Sequence, residues 1–192
     1  MTKKELNGII EKLPPNFPDF SSKGQLLFSQ PVDGVLRGIF FDTASNPRKF
    51  YVHVFIQLLF IPASHFGFNT GFRIGGSWDA DTPNLIPELE DKIKKEAMPF
   101  LQTKNISETI KSVRNDKDLY TQQAIAYLAV YQRDSGAESE LDKLISLFDL
   151  KIDWQKDMFD RACLLKSDLA NPEKMRLQFL LWEKETLKNL GI

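Results

Sequence analysis

From Phe50 to Phe60 every second residue is apolar: Phe50, Val52, Val54, Ile56, Leu58 and Phe60. Successive side chains of an extended chain point to opposite faces, so this run makes one wholly apolar sheet face, which must lie in a core. The interleaved residues Tyr51, His53, Phe55, Gln57 and Leu59 make a mixed face, suited to a surface that something else partly covers. Any fold for this chain has to give that strand a central place.

Turn signals divide its neighbourhood. Pro31-Val32-Asp33-Gly34, Ser45-Asn46-Pro47 and the loop Ile61-Pro62-Ala63-Ser64-His65 separate four extended stretches near 24–30, 35–42, 49–60 and 66–75. Connections this short predict an antiparallel meander. A short amphipathic helix over 3–12, with Leu6, Ile9 and Ile10 on one side, precedes them and stops at Pro14-Pro15. Eleven of the fifteen phenylalanines fall between Phe17 and Phe72, whereas charged residues crowd the part after Pro87. Strands therefore come first and helices after, which argues for α+β and against alternating βαβ units.

After Trp78 the period turns helical, with Leu85, Leu89, Ile93 and Ala97 spaced by four and Pro99 as the expected stop. Asn105 with Glu108, and Ser135 with Glu138, have capping-box spacing, and Asp153 and Asn171-Pro172 announce two more helices. With the stretch 119–133 these make about five, of which the one holding Ile125–Tyr131, apolar nearly all round, should be the buried one. The expected fold is an N-terminal helix and a four-stranded antiparallel sheet followed by a C-terminal bundle of about five helices. We expect a single domain over 1–192, made of a sheet half (1–82) and a helical half (83–192).

Composition narrows the function. With 25 basic and 26 acidic residues, net charge −1, no global field draws nucleic acid or an anionic membrane. The longest apolar run, Val54 to Pro62, is interrupted by Gln57 and is about half the ~20 residues a membrane helix needs. The lone Cys163 has no internal disulfide partner, and the opening MTKKELNGIIEKL has no signal-peptide character, so the expected location is cytoplasmic.

Two histidines and one cysteine are too few for a familiar zinc site. Asp79 with Asp81 lacks the glycine and terminal glutamate of a calcium loop and reads as a helix lead-in. Gly71-Phe72-Arg73-Ile74-Gly75-Gly76 lacks the lysine and hydroxyl of a P-loop, and no G-x-S-x-G elbow occurs. Cys163, between Ala162 and Leu164 on a helix, reads as a buried, inert thiol. No metal, cofactor or nucleophile is therefore expected. Lys92, Lys94 and Lys95 sit among Glu88, Glu90, Asp91 and Glu96, a solvated helix face with i,i+4 pairs.

One constellation remains. A hairpin about the 61–65 loop pairs Phe60 with Phe66, which places Gln57 opposite Asn69 and His53 opposite Arg73. The same register sets Phe55 across from Gly71 and Tyr51 from Gly75, so rings could lie over glycines. The outcome is a polar stripe of Tyr51, His53, Gln57, Asn69 and Arg73 near Trp78, with His65 at the adjoining loop tip. On a structural reading this face packs under the C-terminal helices, with His53 and Arg73 bonded to helix carboxylates. On a functional reading it is a recognition patch, since Arg and aromatic residues are the commonest binding hot spots.

The stretch Val54-Phe55-Ile56-Gln57-Leu58-Leu59-Phe60-Ile61-Pro62, followed by His65, Phe72-Arg73-Ile74-Gly75 and Trp78, resembles uncharacterised bacterial proteins with a Q-x(4)-P-x-x-H and R-x-G-x-x-W arrangement. Small α+β families of this kind are similar to immunity proteins from toxin loci, which bind and neutralise a partner toxin. The resemblance implies a protein partner and no catalysis. Our leading expectation is a cytoplasmic protein-binding module, contacting its partner through Tyr51, His53, Gln57, Asn69, Arg73 or the neighbouring His65 and Trp78. The alternative is a small enzyme with His53 or His65 as acid or base and Arg73 holding an anionic substrate. The oligomeric state is left open.

Overall fold

The structure, a computed structural model, describes residues 2–113 and 118–192. They form two compact units: the chain up to Gln57 with Phe66–Lys104 and Ile192, and Leu58–His65 with Asn105–Gly191. The sheet-bearing unit thus runs on past residue 82 to Lys104.

The fold is α+β, and its antiparallel sheet is larger than the four strands expected. It comprises β1 (Phe20–Lys23), β2 (Leu26–Ser29), β3 (Val35–Thr43), β4 (Lys49–Leu58), β5 (Gly71–Arg73) and β6 (Trp78–Asp79). Their order is β1-β2-β3-β4-β5, with β6 also paired to β4. β1 pairs antiparallel with β2, Phe20 opposite Ser29, although its sequence Phe-Ser-Ser-Lys carries no apolar alternation. The long β4 is the expected central strand: Phe50, Val52, Val54, Ile56 and Leu58 are all buried. The expected stretch 66–75 shortens to Gly71–Arg73, because Phe66 and Phe68 turn onto the sheet instead of continuing it.

Helix α1 (Lys3–Ile10) starts from a capping box of Thr2 and Glu5 and buries Leu6 and Ile10. α2 (Leu85–Lys92) passes through a π-helical stretch (Ile93–Ala97) into α3 (Met98–Leu101), so Pro99 does not stop the helix. Proline lacks an N–H, and its ring collides with the carbonyl four residues back. Here the Met98 N–H reaches back five residues to the Ile93 carbonyl, and the widened turn accommodates Pro99. Leu85, Leu89, Ile93 and Ala97 are buried on the expected face.

The second unit holds α4 (Ile106–Val113), α5 (Leu119–Tyr131), α6 (Ala137–Ser146), α7 (Asp153–Ser167) and α8 (Pro172–Leu190). The Asn105 side chain accepts the Glu108 N–H at 3.1 Å, and Asn171 accepts that of Lys174 at 3.1 Å, as their spacing implies. Ser135 is not the cap of α6: Gly136 holds that place, and the Asp134 carboxylate takes the Gly136 N–H at 2.7 Å. α5 is buried on nearly every side, from Thr121 to Val130; α4, α6 and α8 pack against it, and α7 packs on α6.

The segment Leu58–His65 docks in this unit. Phe60 stacks on Tyr131 at 4.3 Å and meets Phe179 edge-on at 5.2 Å. The buried Thr186 hydroxyl donates to the Ile61 carbonyl and accepts the Ala63 N–H, both at 3.3 Å. Thr186→Val keeps the volume and removes both bonds, so unfolding stability should fall by about 1–3 kcal/mol in a urea titration. An unchanged midpoint would show that these bonds contribute nothing. Among the described residues no helix is long and apolar enough to cross a membrane.

Candidate functional site

The β4–β5 ladder has the register read from the sequence: His53 faces Arg73, Val54 faces Phe72 and Phe55 faces Gly71. The Ile56 N–H to the Thr70 carbonyl (2.8 Å) and the Ile74 N–H to the Val52 carbonyl (3.1 Å) extend it at both ends. Beyond Ile74 the register breaks. Gly75 and Gly76 take φ of 70° and 65°, a left-handed pair that only glycine adopts cheaply. After this bulge Phe50 faces Trp78, a shift of the pairing that takes Gly75 away from Tyr51.

Rings do lie over glycines, though not the pairs expected. A Cβ on Gly75 would come within 2.6 Å of the Trp78 indole, and one on Gly38 within 2.9 Å of the Phe55 ring. Gly71 answers to backbone instead, since a Cβ there would stand 2.0 Å from the Val54 carbonyl oxygen. Trp78 is buried and donates its indole N–H to the Ile74 carbonyl at 3.0 Å. It pins the bulge.

Within the sheet unit, the mixed face of β4 is covered by the segment Phe66–Phe68 that leads into β5. Phe68 stacks on the His53 ring at 4.6 Å and meets Phe55 edge-on at 5.3 Å. Phe66 also meets Phe55, and Phe40 contacts both covering rings at 5.3 Å. Gln57 fastens this cover by accepting the Gly67 N–H at 3.1 Å. The Arg73 guanidinium lies 4.1 Å above the Tyr51 ring, and the residue is exposed. Asn69, four residues earlier in sequence, is also exposed. His65, exposed and 3.1 Å from the Ser64 hydroxyl through Nδ1, belongs to the other compact unit.

The structure therefore brings Tyr51, His53, Gln57 and Arg73 to one face but turns two of them inward. His53 Nε2 is buried with no hydrogen-bond partner among the described residues. Burial chiefly, and then the Arg73 charge, hold its pKa below the ordinary histidine value, while Asp42 opposes them. The ring is neutral near pH 7, and its Nε2 is out of reach of a substrate in this structure. The sign of the pH effect follows. A base with a lowered folded pKa binds its proton more readily unfolded, so stability is full above about pH 6.5 and declines as pH falls from there towards the folded value. Thermal melts of wild type and His53→Gln across that window should diverge, with the wild type losing more; parallel curves would contradict this account.

Cys163 is only half-buried, where the sequence suggested full burial. A shallow cleft of about 290 Å³ lies between Asn16–Phe20 and the residues Lys94, Met98 and Gln102, with the Lys94 ammonium 5.8 Å above the Phe17 ring. Among the described residues, no three His, Cys, Asp or Glu side chains group so as to hold a metal ion.

Sequence reasoning missed the apolar surface of the helical unit. Tyr120 and Trp154 stack in parallel at 5.7 Å with both rings about half exposed, and Leu147, Leu150 and Ile152 stand out from the neighbouring loop. On α8, Leu177, Leu180 and Leu181 are 50%, 47% and 63% exposed. The signal was present, because α8 carries two apolar stripes. Met175, Phe179, Trp182 and Thr186 face inward, and the three leucines lie off that line. No protein-family model, curated protein or solved structure matches the chain.

Proposed function

We propose that the chain is a cytosolic protein-binding module of the immunity type, which contacts its partner through the apolar face of its helical unit. The observation that carries this is one of placement. Of eleven large hydrophobic side chains exposed among the described residues, ten lie in the helical unit and three of those on α8. Folding gains nothing from leaving such side chains in water, and grouped exposed hydrophobes characteristically mark surfaces that bury against another protein. The Tyr51–Arg73 stack with Asn69 offers a second contact of hot-spot composition. The catalytic alternative has less support, since His53 Nε2 is buried and Arg73 is engaged with Tyr51.

Capture from lysate of the native host, with partners identified by mass spectrometry, separates the two surfaces. A Leu177→Asp/Leu181→Asp variant should stay folded by circular dichroism, because exposed substitutions cost within about 0.5 kcal/mol, yet lose the captured protein. A Tyr51→Ala/Arg73→Ala variant should weaken capture less. A partner that both variants hold as well as wild type would contradict the proposal.

A further inference from the structure

Leu177, Leu181, Lys184 and Lys188 follow at spacings of four, three and four, a single stripe along α8 with Leu180 at its edge. It lies opposite the buried line of Met175, Phe179, Trp182 and Thr186. Its charges are not equivalent. Near its start Lys174 is paired with Asp168 at 2.8 Å, and Arg176 with Glu173 at 2.7 Å. Lys184 and Lys188, one and two turns beyond the leucines, have no carboxylate partner among the described residues. The stripe is therefore apolar at one end and carries at the other two cations that form no ion pair among the described residues.

This polarity selects the occupant. A second copy laid parallel would set Lys184 and Lys188 against themselves. Laid antiparallel, it would bring them to Lys174 and Arg176, whose partner acids Asp168 and Glu173 are already engaged. Like charges brought together in a contact are a specific cost. We infer that the stripe receives an amphipathic helix of another protein, whose apolar side chains cover Leu177, Leu180 and Leu181 and whose acidic residues, further along, meet Lys184 and Lys188. The stripe spans about 16 Å at 1.5 Å per residue, three turns of such a helix. This assignment rests on the protein-binding reading and specifies the chemistry of the partner.

Two labelled synthetic helices test it on the full chain by fluorescence anisotropy. They share a leucine face, and one carries glutamates where the other carries lysines. The acidic helix should bind at least about tenfold tighter at low salt, with the advantage shrinking as salt rises. Lys184→Glu/Lys188→Glu should reverse the preference, and Leu181→Asp should abolish binding of both. Equal affinity for the two helices, or indifference to Leu181→Asp, would overturn the inference. So would a chain that sediments as a dimer which Leu181→Asp dissociates, because the occupant is then a second copy. If neither helix binds but Leu177→Asp/Leu181→Asp still loses the host partner, this inference falls and the protein-binding reading stands; if the partner is also retained, both fall.

Discussion

Replacing Gly71 with alanine is expected to cost about 3 kcal/mol or more and to detach β5 from β4. The added methyl would sit 2.0 Å from the Val54 carbonyl oxygen and 2.9 Å from the Phe55 Cα. These are main-chain atoms of the central strand, so no rotamer change relieves the contact and one strand has to move. The Ile56 and Ile74 amides, which donate across the gap to Thr70 and Val52, should then exchange with solvent much faster. Gly67 supplies the control. A Cβ there meets nothing within 4 Å, and the N–H that it gives to Gln57 survives in alanine. Gly67→Ala should leave stability within about 0.5 kcal/mol. Equal effects at the two glycines would show that the ladder does not need the close approach at Gly71.

Phe60→Ala should destabilise the helical unit by about 3–5 kcal/mol in chemical denaturation. Phe60 is wholly buried, stacked on Tyr131 and edge-on to Phe179, so truncation leaves a cavity that two rings cannot fill without giving up their own contacts. Leu181→Ala, on the outward face of α8, should change stability by no more than about 0.5 kcal/mol, since that side chain is already largely in water. The contrast separates apolar residues that hold the fold from those left free for a partner. A large loss at Leu181 would mean that it packs on this chain.

Much of the architecture was legible because it rests on strict periodicity. The apolar alternation of Phe50 to Phe60 identified the buried face of β4, and the His53–Arg73 pairing followed from one turn length. What was illegible depends on contacts distant in sequence. Phe66 and Phe68 have the period-two spacing of a strand, yet the ladder ends near Thr70 and both rings fold over Phe40 and Phe55. Spacing alone cannot tell a strand from a flap with the same alternation. Pro99 looked like a helix stop because a π turn leaves no local composition signal. Of the site residues, Arg73 and Asn69 are exposed, whereas the His53 Nε2 and the Trp78 side chain are buried. The leucines of α8 were visible but read as ordinary helix, since exposure depends on which stripe the bundle claims.

The claim that the helical unit carries the partner surface is tested most directly by placing a photo-crosslinking amino acid at Leu181, at Arg73 and at the exposed Ser22 of β1, and irradiating native host cells. We expect a discrete adduct to one protein from position 181, a weaker adduct or none from 73, and none from 22. An adduct from 73 alone would move the contact to the sheet, and the absence of an adduct from 181 in chains that remain folded would contradict the account.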